Sequence, residues 1–428
     1  MSSALRTTIL SLALFALGCG SSTSGDRGFV PLPTLTGLAV SPVSARIHSG
    51  ETLQFVATAT SSDGQSANVA NLATWTSSNP GAASVVSNSG LATGQSLTQV
   101  IPAVSATITA AFGGLSANSN LRVVPPVGTI QAVSTGISAG AAPTGVCAGP
   151  DGNLWFIENG GDRVGRLNPS SGAVTEFPGL TSGAQAYVIC AGPDGNLWFT
   201  EIAGNRIGRI TTAGVVTEFS AGLTAASGPY GICAGPDGNL WFAEQNSGRI
   251  GRITPAGVIT EFSAGISGGA LPSQICSGPD GNLWFTDFGG NRIGRITTAG
   301  VVTEFSTGIT AGSAPEGICA GPDGNLWFTE FGGNRIGRIT PAGVITEFSS
   351  GISAAARPVG ICAGADGNLW FTEYQGGRLG RITQTGVVSE FTSAALTALS
   401  RPYGINPGPD GNLWFGISGL DQVGVVVP

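Results

Sequence analysis

The hexapeptide DGNLWF occurs seven times in this chain, beginning at Asp151, Asp194, Asp237, Asp280, Asp323, Asp366 and Asp410, so the first five steps are 43 residues and the last is 44. A repeat of that length, filled with short β-type runs, is one supersecondary unit that cannot bury its own apolar faces and is stable only when stacked on its copies. The stretch from Pro315 to Ser349 breaks into four such runs, GICAG, NLWFTE, NRIGRI and VITEF. Between them GPDGN, FGGN and TPAG supply the glycine and proline that let the chain reverse. The pattern predicts one four-stranded antiparallel blade per repeat, hence an all-β, seven-bladed β-propeller over residues 128–428.

The seventh repeat offers only three strands, ending QVGVVVP at Pro428, while GTIQAVSTGIS (Gly128 to Ser138) aligns with GVITEFSSGIS (Gly343 to Ser353). The missing strand is therefore expected at the other end of the ring. Residues 128–134 should pair with the strand around Gln422 to Val427 and leave no open edge.

Composition narrows the chemistry. From residue 128 onward the chain has 14 arginines against 22 acids, a net charge of −8, so no basic stripe exists to track a nucleic-acid backbone. There is no lysine, which removes Schiff-base chemistry and a phosphate-loop lysine. The only histidine, His48, falls outside the repeats, so no imidazole base, nucleophile partner or metal ligand is available to the ring.

The segments before the ring differ in kind. Arg6, the apolar run Ile9 to Leu17, then Gly18 and Cys19 resemble a bacterial lipoprotein signal peptide over residues 1–19, with a spacer over 20–33. That resemblance implies lipidation at Cys19, the alternatives being ordinary secretory cleavage or a retained anchor, and a place in the cell envelope as an outer-membrane or cell-surface lipoprotein. Residues 34–124 are rich in Ser, Thr, Ala and Val in period-two alternation, which reads as a β-sandwich. The runs LTGLAVSP, SGETLQFVATATSSDG and ATITAAFGG resemble the bacterial immunoglobulin-like group 2 domain, which implies a spacer or adhesion role outside the cytoplasm. Residues 125–127 make a linker, stiffened by Pro125 and Pro126.

Within the repeats, Cys147, Cys190, Cys233, Cys276, Cys319 and Cys362 recur at one position, with Asn406 at the seventh. Equivalent positions lie a full blade apart, beyond the roughly 7 Å reach of a disulfide, so these are expected to be buried thiols. An acid follows each tryptophan by three residues (Glu158, Glu201, Glu244, Asp287, Glu330, Glu373), and an arginine follows each acid by five (Arg163, Arg206, Arg249, Arg292, Arg335, Arg378). A hairpin sets them opposite one another. Blade seven loses both together, with Ile417 and Gln422. A second set, Arg166 and its equivalents against Glu176 and its equivalents, is read as another ion-paired ladder. The tryptophans read as core and the Asp-Gly steps as turns.

The most variable position lies fourteen residues before each acid: Thr144, Tyr187, Tyr230, Ser273, Glu316, Val359 and Tyr403. Only one blade has carboxylates at both places, Glu316 and Glu330. That pair is the candidate catalytic and divalent-metal site, and Tyr187, Tyr230, Asp287, Arg357, Glu373, Arg401 and Tyr403 are the candidate binding rim around it.

The motif P-x-G-I-C-x-G-P-D-G-N-L-W-F-T-E-x-x-x-N-R-I-G-R-I-T resembles that of the streptogramin B lyases, the virginiamycin B lyase family, over residues 128–428. The resemblance implies a magnesium-dependent enzyme that opens a cyclic depsipeptide by elimination, with a catalytic histidine at the x of P-x-G in one blade and a metal-holding carboxylate fourteen residues later. Glu330 keeps the carboxylate position, whereas Glu316 stands where the histidine would be. Abstracting a carbon-bound proton needs a base of suitable pKa. The expectation is therefore a monomeric, surface-anchored propeller that binds a small molecule, a peptide or a surface ligand at its central rim and touches the membrane only through its lipid. An active magnesium-dependent lyase is the alternative, and a carboxylate-pair glycan hydrolase a further one.

Overall fold

The computed structural model describes residues 33–428, which fold into two units, one ending at Val127 and the other running from Gly128 to Pro428. The signal-peptide reading, Cys19 included, lies outside the described residues. These contain strands and turns but no helix.

The first unit holds ten strands in three small sheets. Strands Val104–Phe112 and Leu115–Val124 form its longest hairpin, and Leu115–Val124 also pairs in parallel with Ser44–His48. Alternating residues point to one core around Phe55, Trp75, Ile108 and Leu121. His48 ends its strand beside Glu51, whose carboxylate accepts from the His48 backbone N–H at 2.7 Å. It is thus a partnered strand-end residue rather than a freely solvated turn.

The second unit consists of seven four-stranded antiparallel sheets. The fifth is representative: Pro315–Ala320 innermost, then Leu326–Glu330, Arg335–Ile339 and Ile345–Phe348 outermost. The seventh is composite, because Ile130–Val133 pairs with Gln422–Val426 as its outer strand, Ile130 opposite Val426 and Val133 opposite Val423. It also closes onto the first sheet. The Asn406 amide donates to the Val146 carbonyl at 2.8 Å, and the Asp421 carboxylate accepts from the Gly140 and Ala142 amides at 2.8 Å each.

Two local devices recur through the sheets, the second in six of the seven, since the composite sheet has Val133 in place of the outer-strand phenylalanine. The phenylalanine of DGNLWF lies flat over the glycine opposite it in the third strand; a Cβ on Gly337 would sit 2.1 Å from Phe328 Cζ, which explains the glycine in RIGRI. The tryptophan stacks on the outer-strand phenylalanine, Trp327 on Phe348 at 5.4 Å, and lies against the Leu and Phe of the next sheet, as in the cluster of Trp327 and Ile336 with Leu369 and Phe371. The Asp of DGN accepts the indole N–H, at 3.1 Å from Trp327 to Asp323, so the repeated aspartate satisfies a buried donor as well as shaping the turn.

One charge assignment is corrected by the register. Arg166 faces Thr175, and Glu176 faces Gly165, so Glu176 lies on the face of Arg163 rather than Arg166. Arg163 accordingly bridges Glu158 at 2.8 Å and Glu176 at 3.6 Å, while Arg166 lies over the Trp155 and Phe177 rings. Similar acid–arginine–acid bridges recur at Arg206, Arg292, Arg335 and Arg378.

Candidate functional site

The seven innermost strands surround a central cavity of about 350 Å³. Cys147, Cys190, Cys233, Cys276 and Cys319 line it and at the same time pack into the clusters between neighbouring sheets, Cys147 with Trp155, Ile189 and Leu197. All six ring cysteines are free, and burial holds each thiol well above its ordinary range, Cys190 at about 12, which keeps them protonated and poorly nucleophilic.

Glu316 and Tyr403 close one end of this cavity. Here the variable position of the repeat converges. The Tyr230 hydroxyl donates to Glu316 Oε1 at 2.8 Å and lies 2.6 Å from the Tyr403 hydroxyl and 3.2 Å from that of Tyr187. The Tyr187 and Tyr230 rings meet at 4.6 Å, and Tyr187 meets Tyr403 edge-on at 5.2 Å. Thr144, Ser273 and Val359, the other residues at this position, are buried. The backbone is fixed from the side: the Thr286 hydroxyl donates to the Glu316 carbonyl at 2.6 Å, and the Gly317 amide donates to Thr329 Oγ1 at 2.8 Å. Glu316 is 6% exposed, and burial raises its carboxyl pKa, against which the tyrosine hydrogen bonds act. The result is a polar plug across the channel in which sequence-variable side chains from distant sheets touch.

Glu330 belongs to a different environment. It faces Pro315 across the hairpin, not Glu316, and lies beside Arg335 at 3.9 Å, an arginine it shares with Glu347. Glu330 is 0% exposed, neither of its oxygens has a hydrogen-bond partner, and burial pushes its pKa up to about 7. The acids that follow the tryptophans are thus not solvated rim groups. Glu158, Glu201, Glu244 and Glu373 are buried likewise, with pKa values pushed up by burial to about 7, 8, 7 and 7. Asp287, one methylene shorter, accepts from the Leu271 and Gly290 amides and from Arg292, which saturates it. The hairpin glycines allow this burial; a Cβ on Gly333 would lie 2.9 Å from Glu330 Oε2.

The magnesium ion implied by the resemblance needs several oxygen ligands facing one point. Among the described residues no group of three or more His, Cys, Asp or Glu side chains is placed to hold a metal, Glu316 turns into the tyrosine plug, and a guanidinium occupies the space beside Glu330. These residues do not fit the ion as a pair.

The rim beyond the plug is asymmetric in a way not read from the repeat. The residue after each acid is Asn159, Ile202, Gln245, Phe288, Phe331, Tyr374 and Ser418 in turn. Sheets four to six thus present an aromatic arc: Phe288 to Phe331 at 6.3 Å, Phe331 to Tyr374 at 6.5 Å, and Tyr374 edge-on to Tyr403 in the plug at 6.0 Å. Arg357 lies over Phe331 at 4.7 Å and Arg401 over Tyr374 at 6.0 Å. Positional variation would have revealed these rings, just as it revealed the plug.

Comparison with known proteins agrees with this architecture. The virginiamycin B lyase family matches residues 129–426. A virginiamycin B lyase from Staphylococcus aureus superimposes with a TM-score of 0.65 at 38% identity, covering 70% of this chain and 99% of that one. A catalytically inactive variant of that enzyme with quinupristin gives 0.64 at 38% identity, covering 70% and 99%. A streptogramin B lyase gives 0.64 at 36% identity, covering 69% and 96%. Separately, ice-binding protein 1 of Shewanella frigidimarina is 41% identical over 90 residues, 21% of this chain, which spans only 9% of that protein's length. Through residues 129–426, this β-propeller chain belongs to the virginiamycin B lyase family.

Proposed function

We propose that this chain is an exported, ligand-binding seven-bladed β-propeller that keeps the lyase scaffold without the lyase reaction. It is displayed on an immunoglobulin-like β-sandwich and anchored at the cell envelope through Cys19. The observation that carries this reading is the placement of Glu316. It stands where the family motif has its base, yet it is buried against Tyr230 and Tyr403 at the closed end of the channel. A base must reach the proton it removes. Glu330, at the motif position of the metal-holding acid, is buried beside Arg335 instead of sharing a site with Glu316. The different partners of the two acids also disfavour the carboxylate-pair hydrolase, in which both must flank one bond.

What remains solvent-accessible and asymmetric is the rim with its half-buried aromatic arc and two arginines. That is the composition of a recognition surface, and a small molecule or a peptide is the ligand class it suits. Calorimetric titration of the intact chain with magnesium tests this reading: no saturable site is expected. Saturable binding abolished by Glu330→Gln would restore the metal-dependent lyase.

A further inference from the structure

Most arginines of the second unit are matched to a carboxylate, and of the three that are not, Arg338 lies over Trp327 and Phe348 of its own sheet and donates to the Gln384 carbonyl, which leaves Arg357 and Arg401. Arg163, Arg206, Arg249, Arg292, Arg335 and Arg378 each bridge to a carboxylate, whereas neither Arg357 nor Arg401 has a carboxylate partner among the described residues. Arg357 accepts one neutral tie, donating from Nε to Gln375 Oε1 at 3.3 Å. Both occupy the position before the innermost strand, where the backbone is left-handed, φ 54° at Arg357 and 47° at Arg401. Each reaches over the aromatic ring of the preceding sheet, and those two rings lie 6.5 Å apart. The equivalent positions in sheets one to three are Ala142, Gln185 and Gly228, and the corresponding residues of the sheets before them are Ser418, Asn159 and Ile202. The feature is confined to one arc of the rim.

A guanidinium stacked on a ring keeps its in-plane N–H donors free, and these match a carboxylate or sulfonate in a two-pronged hydrogen bond. The half-buried rings of Phe331 and Tyr374 offer faces for a flat ligand. The nearby acids do not compete, since Asp287, Glu330 and Glu373 are buried against their own arginines. Resting on the reading of the rim as a binding surface, we infer that the ledge of Phe331, Tyr374, Arg357 and Arg401 recognises a flat aromatic acid, its ring on the aromatic faces and its anionic group on the two guanidinium forks.

The test titrates the intact chain with naphthoate and with its neutral isostere naphthamide, read by ligand-observed NMR. Naphthoate should bind, and naphthamide should bind about tenfold or more weakly, the equivalent of losing one charge-assisted hydrogen bond. Arg401→Gln, at an exposed position, should bring the naphthoate affinity down to that of naphthamide. Arg357→Gln should act in the same direction, and Tyr374→Leu should weaken both ligands. Equal binding of acid and amide, naphthoate binding unchanged in Arg401→Gln, or no binding of either would each overturn the inference. Failure here leaves the non-catalytic reading standing, because that one falls only on metal binding or turnover.

Discussion

At the scale of single residues, the acids that follow the tryptophans set how this ring responds to pH. Glu201, 0% exposed and with neither oxygen hydrogen-bonded, has its pKa pushed by burial from an ordinary 4.5 to about 8. The folded chain therefore keeps a proton that the unfolded chain releases, and stability falls as pH rises from about 4.5 to 8. Glu158, Glu244, Glu330 and Glu373 add the same trend up to about 7. The outer Glu176, Glu218, Glu261 and Glu390 work oppositely: hydrogen bonds from the neighbouring loop and the shared arginines hold their pKa values low despite burial, and their stabilisation is lost as pH falls below the usual carboxylate range. The melting temperature should peak between about pH 4.5 and 6 and decline toward pH 8. Glu201→Gln should raise it at pH 8 and leave it nearly unchanged at pH 4.5. A variant less stable than the parent at pH 8 would mean that the buried carboxylate is charged and stabilised there.

At the scale of strands and sheets, most of what the sequence contains is written in the repeat itself. Turn glycines and alternating apolar runs place four strands per repeat, and the fifth sheet begins and ends its strands within a residue or two of that reading. The composite sheet was legible because Gly128 to Ser138 copies the outer-strand motif, and Ile130–Val133 does pair with Gln422–Val426. Deleting residues 128–134 should lower the melting temperature by several degrees or more and expose the edge at Val425. An unchanged transition in differential scanning calorimetry would show that the ring does not depend on this strand. Gly337→Ala should likewise destabilise, by about 1 to 3 kcal/mol, since its Cβ collides with Phe328. The site was less legible. Pairing of Glu316 with Glu330 was inferred from chain spacing, but neighbouring positions on a strand point to opposite faces, so a residue beside Pro315 does not share the side of the acid opposite Pro315. The contact of Glu316 with Tyr230 and Tyr403 joins residues 86 and 87 apart, and ring geometry alone brings them together.

At the scale of the whole molecule, six equivalent thiols around one channel report on the integrity of the ring. They should react slowly with a disulfide reagent in the native chain near neutral pH, because burial keeps them protonated, and should all titrate after unfolding without reductant. Fewer than six ring thiols would mean disulfides between sheets. The larger question is whether a scaffold shared with streptogramin-cleaving relatives still performs their chemistry when its ring has no histidine and its motif glutamate closes the channel. The direct measurement is incubation of the purified chain with a streptogramin B antibiotic and excess magnesium, followed by mass spectrometry and chromatography of the antibiotic. The expected result is intact cyclic antibiotic at all times. Magnesium-dependent formation of the linear product, lost in Glu316→Gln, would contradict the binding-protein account and establish Glu316 as a working base.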